Sequence, residues 1–148
     1  MGTKQILEAA LKDAIKTSDE AHKRAIRMIL ANIKLAEVEK GAPLEETEII
    51  NILQKDIKIH YEAIQDAEKA GRADLIDKNR VEISILETFL PKQLSETELK
   101  DLALSTIQEV GATSPADMGK VMKNLLPKIQ GRAPNDAVSK IVREMLNR

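Results

Sequence analysis

The chain has 148 residues, with 23 basic and 24 acidic side chains and no cysteine. This length is enough for one domain or for two small helical units. The absence of cysteine excludes a disulfide scaffold, a thiol nucleophile and a cysteine-ligated zinc or iron–sulfur site. Phe89 and Tyr61 are the two aromatic residues, so the core must consist mostly of helix-favouring aliphatic side chains and methionine. So few rings also argue against proteins that stack single-stranded bases on aromatic side chains.

Apolar residues recur every three to four positions along the chain, which predicts an all-α fold. Four glycines follow apolar segments, where left-handed helix C-caps are expected. They are Gly41, Gly71, Gly111 and Gly131. The sixth helix is expected to end at Pro127, because proline disfavours a helix interior. The predicted helices cover about 3–16, 20–40, 45–70, 75–90, 96–110, 115–127 and 135–146.

Some side chains in these helices have predictable roles. Asp74 can cap the fourth helix, and Ser95 with Glu98 forms a capping box at the start of the fifth. Four methionines fall on the apolar stripes, so we expect them to fill the core rather than to form an exposed binding surface. They are Met28, Met118, Met122 and Met145.

The segments divide at Pro91 into four longer helices and three shorter ones. We therefore predict an N-terminal bundle over residues 1–90 and a C-terminal three-helix lobe over residues 95–148. Charge also separates the two parts of the chain. From Pro115 to Arg148, seven basic and three acidic side chains give a net charge of +4, whereas the first 114 residues carry −5.

The sequence shows no sign of a membrane protein or of a secreted one. No apolar run approaches the roughly 18 residues of a membrane span, and the first residues lack the apolar core of a signal peptide. We therefore expect a cytoplasmic protein that does not bind a membrane.

A catalytic or metal-binding constellation is not visible either. His22 and His60 fall on different helices, so we expect His22 to be solvated and His60 to lie at the edge of an apolar stripe. The chain has no P-loop, no dinucleotide-binding glycine motif and no nucleophile elbow. We predict no catalytic residue, no metal and no cofactor.

The basic residues near the C-terminus are the most informative for function. Lys128 and Arg132 belong to a predicted loop that Gly131 turns, while Lys120 and Lys123 share one face of the preceding helix. One interpretation is a charged helix connection, and the other is a surface that contacts phosphates. Helix N-termini near Pro115 and Asn135 would add amide donors for anions. The candidate nucleic-acid-binding residues are Lys120, Lys123, Lys128, Arg132, Lys140 and Arg143.

Four segments resemble the YqeY family, and they are RMILA (27–31), FLPKQLS (89–95), DMGKVM (117–122) and GRA (131–133). That family is similar to the C-terminal tail domain of GatB, a subunit of the tRNA-dependent amidotransferase that converts misacylated Glu-tRNA or Asp-tRNA to the amide form. The resemblance implies a two-lobe helical fold whose tail lobe contacts tRNA, with Gly119 and Gly131 as its motif glycines. It does not imply amidase or ATP-dependent chemistry.

Three functional hypotheses follow. The first is a non-catalytic module that binds tRNA or accompanies a tRNA amidotransferase, with a translation-related protein as a further partner. The alternative is a helical protein-interaction adaptor that does not bind nucleic acid, and exposed leucine or isoleucine on the long helices would favour it. A lesser alternative is a part of a glutamine-dependent carbon–nitrogen ligase, which release of ammonia from glutamine would favour.

Overall fold

The structure, a computed structural model, describes residues 2–147. These residues form seven α-helices and one 3-10 turn (Pro115–Asp117), with no strand among them, so the predicted all-α fold is confirmed. None of the described helices is long and apolar enough to cross a bilayer. The helices are α1 (Thr3–Lys16), α2 (Glu20–Lys40), α3 (Glu46–Lys69), α4 (Ala73–Glu87), α5 (Glu96–Val110), α6 (Met118–Ile129) and α7 (Asn135–Leu146).

The predicted ends of α6 and α4 differ from the structure, in which α4 ends at Glu87 rather than near residue 90. The α6 helix continues through Pro127 to Ile129, because a proline in the last turn removes only one backbone hydrogen bond from a helix that is already ending. Lys128 therefore lies on a helix rather than in a loop. Arg72, not Asp74, precedes α4 as its cap residue. Asp74 lies within the first turn, where its carboxylate accepts a hydrogen bond of 2.9 Å from the Arg72 guanidinium.

The helices belong to two compact units, which we call the N-terminal unit (up to Leu90) and the C-terminal unit (from Pro91). In the N-terminal unit, the core draws aliphatic side chains from α1, α2, α3 and α4. Its fully buried members are Leu7, Ile26, Ile29, Ile33, Leu53 and Leu86. In the C-terminal unit, α5, α6 and α7 each pack against the other two. The fully buried aliphatic residues there are Ala103, Val121, Leu125, Ile129, Val138 and Val142.

The helix ends follow the local sequence at several positions. All four predicted glycines have left-handed backbone angles, with φ between 66° and 75°. The Ser95 capping box is also confirmed: the Glu98 amide donates to Ser95 Oγ at 3.1 Å, and the Ser95 amide donates to Glu98 Oε1 at 3.1 Å. These contacts fix where α5 begins.

Removing the Ser95 side chain tests this cap. We expect Ser95→Ala to lower the free energy of unfolding by about 1 kcal/mol, because the Glu98 amide loses its acceptor. Urea denaturation monitored by circular dichroism measures the change. Thr97→Ala, an exposed position in the same turn, is the control and should change stability by less than about 0.5 kcal/mol. Equal losses in the two variants would contradict the capping role.

His60 lies at the edge of the N-terminal core, as predicted, and joins a polar cluster between α3 and α4. Its Nδ1 atom is 2.8 Å from Asn79 Oδ1 and 3.3 Å from Glu82 Oε2, and its Nε2 atom is 3.5 Å from Asp56 Oδ2. Glu82 also accepts a hydrogen bond of 3.0 Å from Arg24 Nε. The cluster links α2, α3 and α4 through side chains.

Asp56 gives this cluster a pH dependence. Burial raises the pKa of its carboxyl above the usual 3.8, because the charged form loses hydration, and the Glu82 carboxylate acts in the same direction. The folded protein therefore binds this proton more tightly than the unfolded chain. The resulting stabilisation is full below the unfolded pKa and is lost as the pH rises through the folded pKa.

We therefore expect Asp56→Asn to be more stable than the wild type at neutral pH, since the amide carries no charge to desolvate. The difference should shrink as the pH falls from neutral through the raised pKa of the wild-type carboxyl, which there takes up its proton. Thermal denaturation of both proteins over that pH range measures it. A variant that is less stable throughout the range would contradict the effect assigned to burial.

Candidate nucleic-acid interface

Lys120 and Lys123 lie on the outward face of α6. Three residues of this helix, Val121, Leu125 and Ile129, are buried in the core. At about 100° per residue, both lysines project roughly opposite to that row. Both are exposed, and neither forms an ion pair within residues 2–147. This face of α6 therefore presents two accessible positive charges.

Lys140 and Arg143 occupy the corresponding face of α7. Val138, Val142 and Leu146 turn toward the core. Both cations are exposed: Lys140 lies roughly opposite to that row, beside a cavity that Glu96 and Glu144 also line, and Arg143 lies at its flank. Neither cation has an ion-pair partner in the described part of the chain. Because α6 and α7 pack around one core with α5, their outward faces point in different directions. The structure thus arranges these four cations as two pairs on neighbouring helices.

Lys128 forms an ion pair with another residue of the C-terminal unit. Its Nζ atom lies 2.5 Å from Glu109 Oε2 on α5 and donates to Thr106 Oγ1 at 3.2 Å. Thr106 is completely buried. Lys128 therefore ties α6 to α5, and its ion pair with the Glu109 carboxylate makes it less available to a phosphate than an unpaired lysine.

Arg132 and Gly131 hold the α6–α7 turn against the segment that precedes α5. Arg132 Nε donates to the Lys92 carbonyl at 2.9 Å, and the Leu94 amide donates to the Arg132 carbonyl at 2.8 Å. Gln93 Nε2 donates to the Gly131 carbonyl at 3.1 Å. The φ of Gly131 is +75°, where a Cβ atom is strained. The sequence did not predict this structural role. The hydrogen bonds join two of the segments that carry the family resemblance, residues 89–95 and residues 131–133.

The two helix N-termini that were expected to bind anions already bind carboxylates of this chain. Asp117 accepts hydrogen bonds from the amides of Thr113 at 2.9 Å and Ser114 at 3.3 Å, and these bonds hold its pKa below the usual value. At the start of α7, Asp136 Oδ1 accepts from the Ala137 amide at 3.0 Å. A phosphate at either position would meet a negative charge.

Two further positions named from the sequence, and metal binding, remain to be described. Gly119 lies in the first turn of α6, where a Cβ atom would meet nothing within 4 Å, so packing does not require a glycine there. Arg148 lies outside the described residues. Within the range that the structure covers, no group of three or more histidine or carboxylate side chains could hold a metal ion.

The fold and this site define an all-helical protein of two units whose C-terminal unit displays cations on the outward faces of two helices. The chain belongs to the YqeY-like protein family, whose model matches residues 4–146. Among curated relatives, "Altered inheritance of mitochondria protein 41, mitochondrial" of Pyrenophora tritici-repentis is 28% identical over 145 residues, which cover 95% of this chain and 78% of that protein. The protein of the same name from Lachancea thermotolerans is 27% identical over 134 residues, covering 88% and 70%.

Proposed function

We propose that this protein is a non-catalytic module that binds tRNA through its C-terminal unit. The observation that carries the proposal is the set of exposed cations on the outward faces of α6 and α7, which have no ion-pair partner among the described residues. They are Lys120, Lys123, Lys140 and Arg143. The resemblance to the tail domain of GatB supports tRNA as the polyanion and a tRNA amidotransferase or another translation-related protein as the associated partner.

The chemistry of this surface favours recognition of the RNA backbone rather than of bases. Lysine and arginine neutralise phosphates and release condensed counterions, which gives affinity without sequence information. The chain has one tyrosine, one phenylalanine and no tryptophan, so few rings are available for base stacking. Two separated pairs of cations suit a folded RNA that presents phosphates along a curved surface. Lys128 contributes less because of Glu109, and Arg132 acts by fixing the turn.

Titration of the full chain with total tRNA at two salt concentrations tests the proposal. Four phosphate contacts predict that affinity falls about 100-fold between about 50 mM and about 200 mM monovalent salt. Fluorescence anisotropy with labelled tRNA measures both affinities. Absence of binding at the lower concentration, or an affinity that does not depend on salt, would remove tRNA binding from consideration.

The compartment is a separate part of the proposal. We propose a cytoplasmic location, as predicted from the sequence, whereas the curated relatives carry the word mitochondrial in their names. Translation supplies tRNA in both places, so the binding chemistry is the same in each. Fractionation of cells that express the tagged natural protein distinguishes the two locations.

A helical protein-interaction adaptor is the second candidate function. Exposed aliphatic side chains on the two longest helices favour it, since Leu35 on α2 and Ile59 on α3 are both at least half exposed. This candidate replaces the first if tRNA fails to bind at low salt while the N-terminal unit binds a protein.

A further inference from the structure

A groove with apolar walls lies between α2 and α3 of the N-terminal unit. It forms an open cavity of about 330 Å³ to which each helix contributes four residues. They are Asn32, Leu35, Ala36, Glu39, Ile52, Lys55, Asp56 and Ile59. A second cavity, of about 290 Å³, shares Asp56 with the first and extends to Met28 on α2 and Leu75 on α4. We call the two cavities together the α2–α3 groove.

Large apolar side chains of this groove are left in water. Leu35 is 60% exposed, Met28 is 56% exposed and Ile59 is 50% exposed. The prediction that Met28 fills the core is therefore wrong: the groove is open beside it, although its neighbour Ile29 is fully buried. Exposed apolar residues that lie together in a concave surface are typical of a contact site for another molecule.

The spacing of these residues fits a helix. Met28 and Leu35 are seven residues apart on α2, and Ile52 and Ile59 are seven residues apart on α3. Seven residues are close to two helical turns, so each pair forms a row along one wall of the groove. A third helix laid between two such rows can insert apolar side chains at i, i+3 or i+4, and i+7.

The Asp56 carboxylate at the middle of the groove places a chemical requirement on any molecule that binds there. Asp56 lines both cavities, and its side chain is only 13% exposed. Its ion pair within the described residues is with His60 Nε2, at 3.5 Å, whereas Arg24 in the same cavity is bound to Glu82. The other cations of the groove, Lys55 and Lys78, are exposed. A largely buried carboxylate in an apolar groove favours an incoming cation.

We propose that the α2–α3 groove docks an amphipathic helix of a partner protein, whose apolar face packs against the Leu35 and Ile59 walls and whose central lysine or arginine pairs with Asp56. This surface belongs to the N-terminal unit and shares no residue with the cations assigned to tRNA. Binding of a protein helix and binding of tRNA are therefore tested by different variants.

Selection from a displayed library of helical peptides, about four turns long, tests the proposal with the full chain as bait. We expect the enriched peptides to carry apolar residues at i, i+3 or i+4, and i+7, with a lysine or arginine between them. One enriched peptide, labelled with a fluorophore, is then titrated with the full chain. Enrichment that lacks either feature, or no enrichment, would overturn the proposal.

Two variants of exposed aliphatic residues show whether the peptide occupies the groove. Leu35→Lys should weaken binding of the selected peptide at least about 10-fold, because it places a charge in the apolar wall. Val38→Lys is the matched control, since Val38 is 70% exposed on the same helix but does not line the groove. Both substitutions lie at exposed positions, and circular dichroism verifies that both variants fold. Equal weakening by the two variants would contradict docking in the groove.

A double-mutant cycle tests the role of Asp56. Asp56→Asn should weaken binding of the selected peptide about 10-fold and should leave the affinity for its Arg→Gln or Lys→Gln version unchanged. Additive effects of the two changes would exclude the ion pair. Sedimentation velocity of the chain alone tests whether a second copy of the chain fills the groove instead. A dimer that Leu35→Lys dissociates would show that it does, and this result would overturn the proposal of a partner helix.

Discussion

Leu125→Ala is expected to lower the free energy of unfolding of the C-terminal unit by about 3 kcal/mol. Leu125 is completely buried in the core that α5, α6 and α7 share. The alanine would leave a cavity among aliphatic side chains that pack from three helices and cannot all move to fill it. Urea denaturation of the full chain, monitored by the amide NMR signals of residues 96–146, measures the change for this unit.

The neighbouring residue provides a control of identical chemistry. Leu126 is 36% exposed, so Leu126→Ala removes fewer contacts and should cost less than about 1 kcal/mol. A loss that is equal in the two variants would show that the α6 register is incorrect. The register matters for function, because the same rotation of α6 that buries Leu125 turns Lys120 and Lys123 outward.

Replacing the four outward cations with alanine is expected to lower tRNA affinity by about 100-fold at low salt. The variant combines Lys120→Ala, Lys123→Ala, Lys140→Ala and Arg143→Ala. Each lost phosphate contact should also reduce the slope of log affinity against log salt by about one. The effect should be similar for all tRNA species, since backbone contacts carry no base information.

A matched variant separates this local effect from the loss of net charge. Lys12, Lys16, Lys34 and Lys69 are exposed lysines of the N-terminal unit, and their replacement by alanine removes the same total charge. We expect tRNA affinity to fall only a few-fold in that variant, because the proposal assigns none of these lysines a phosphate contact and the loss of net charge alone acts weakly through screening salt. Equal losses in the two variants would mean that tRNA is attracted by overall charge.

Local features of the fold could be predicted from the sequence. The capping box at Ser95 and the left-handed glycines depend on residues within one turn of each other, so the pattern alone specifies them. The all-α fold follows from the helical period of the apolar residues. The predicted end of the sixth helix at Pro127 is wrong, since α6 continues to Ile129. Where a helix ends near a proline depends on how the following residues pack, and the proline alone does not indicate this.

The candidate site was less predictable, because contacts between segments that are distant in the sequence determine which of its cations remain unpaired. Six cations could be found from composition, but the partner of Lys128 is 19 residues away in the sequence and that of Arg132 is 40 residues away. The exposure of Met28 likewise depends on the cavity that α2, α3 and α4 leave beside it. Helical period alone does not show whether an apolar stripe is covered along its whole width.

Amide chemical shifts of the isotope-labelled full chain, recorded during titration with tRNA at low salt, test the central claim most directly. We expect the largest shifts on the outward faces of α6 and α7, around Lys120, Lys123, Lys140 and Arg143, and we expect them to disappear as salt is raised. No shift at low salt, or shifts confined to the N-terminal unit, would contradict tRNA binding by the C-terminal unit.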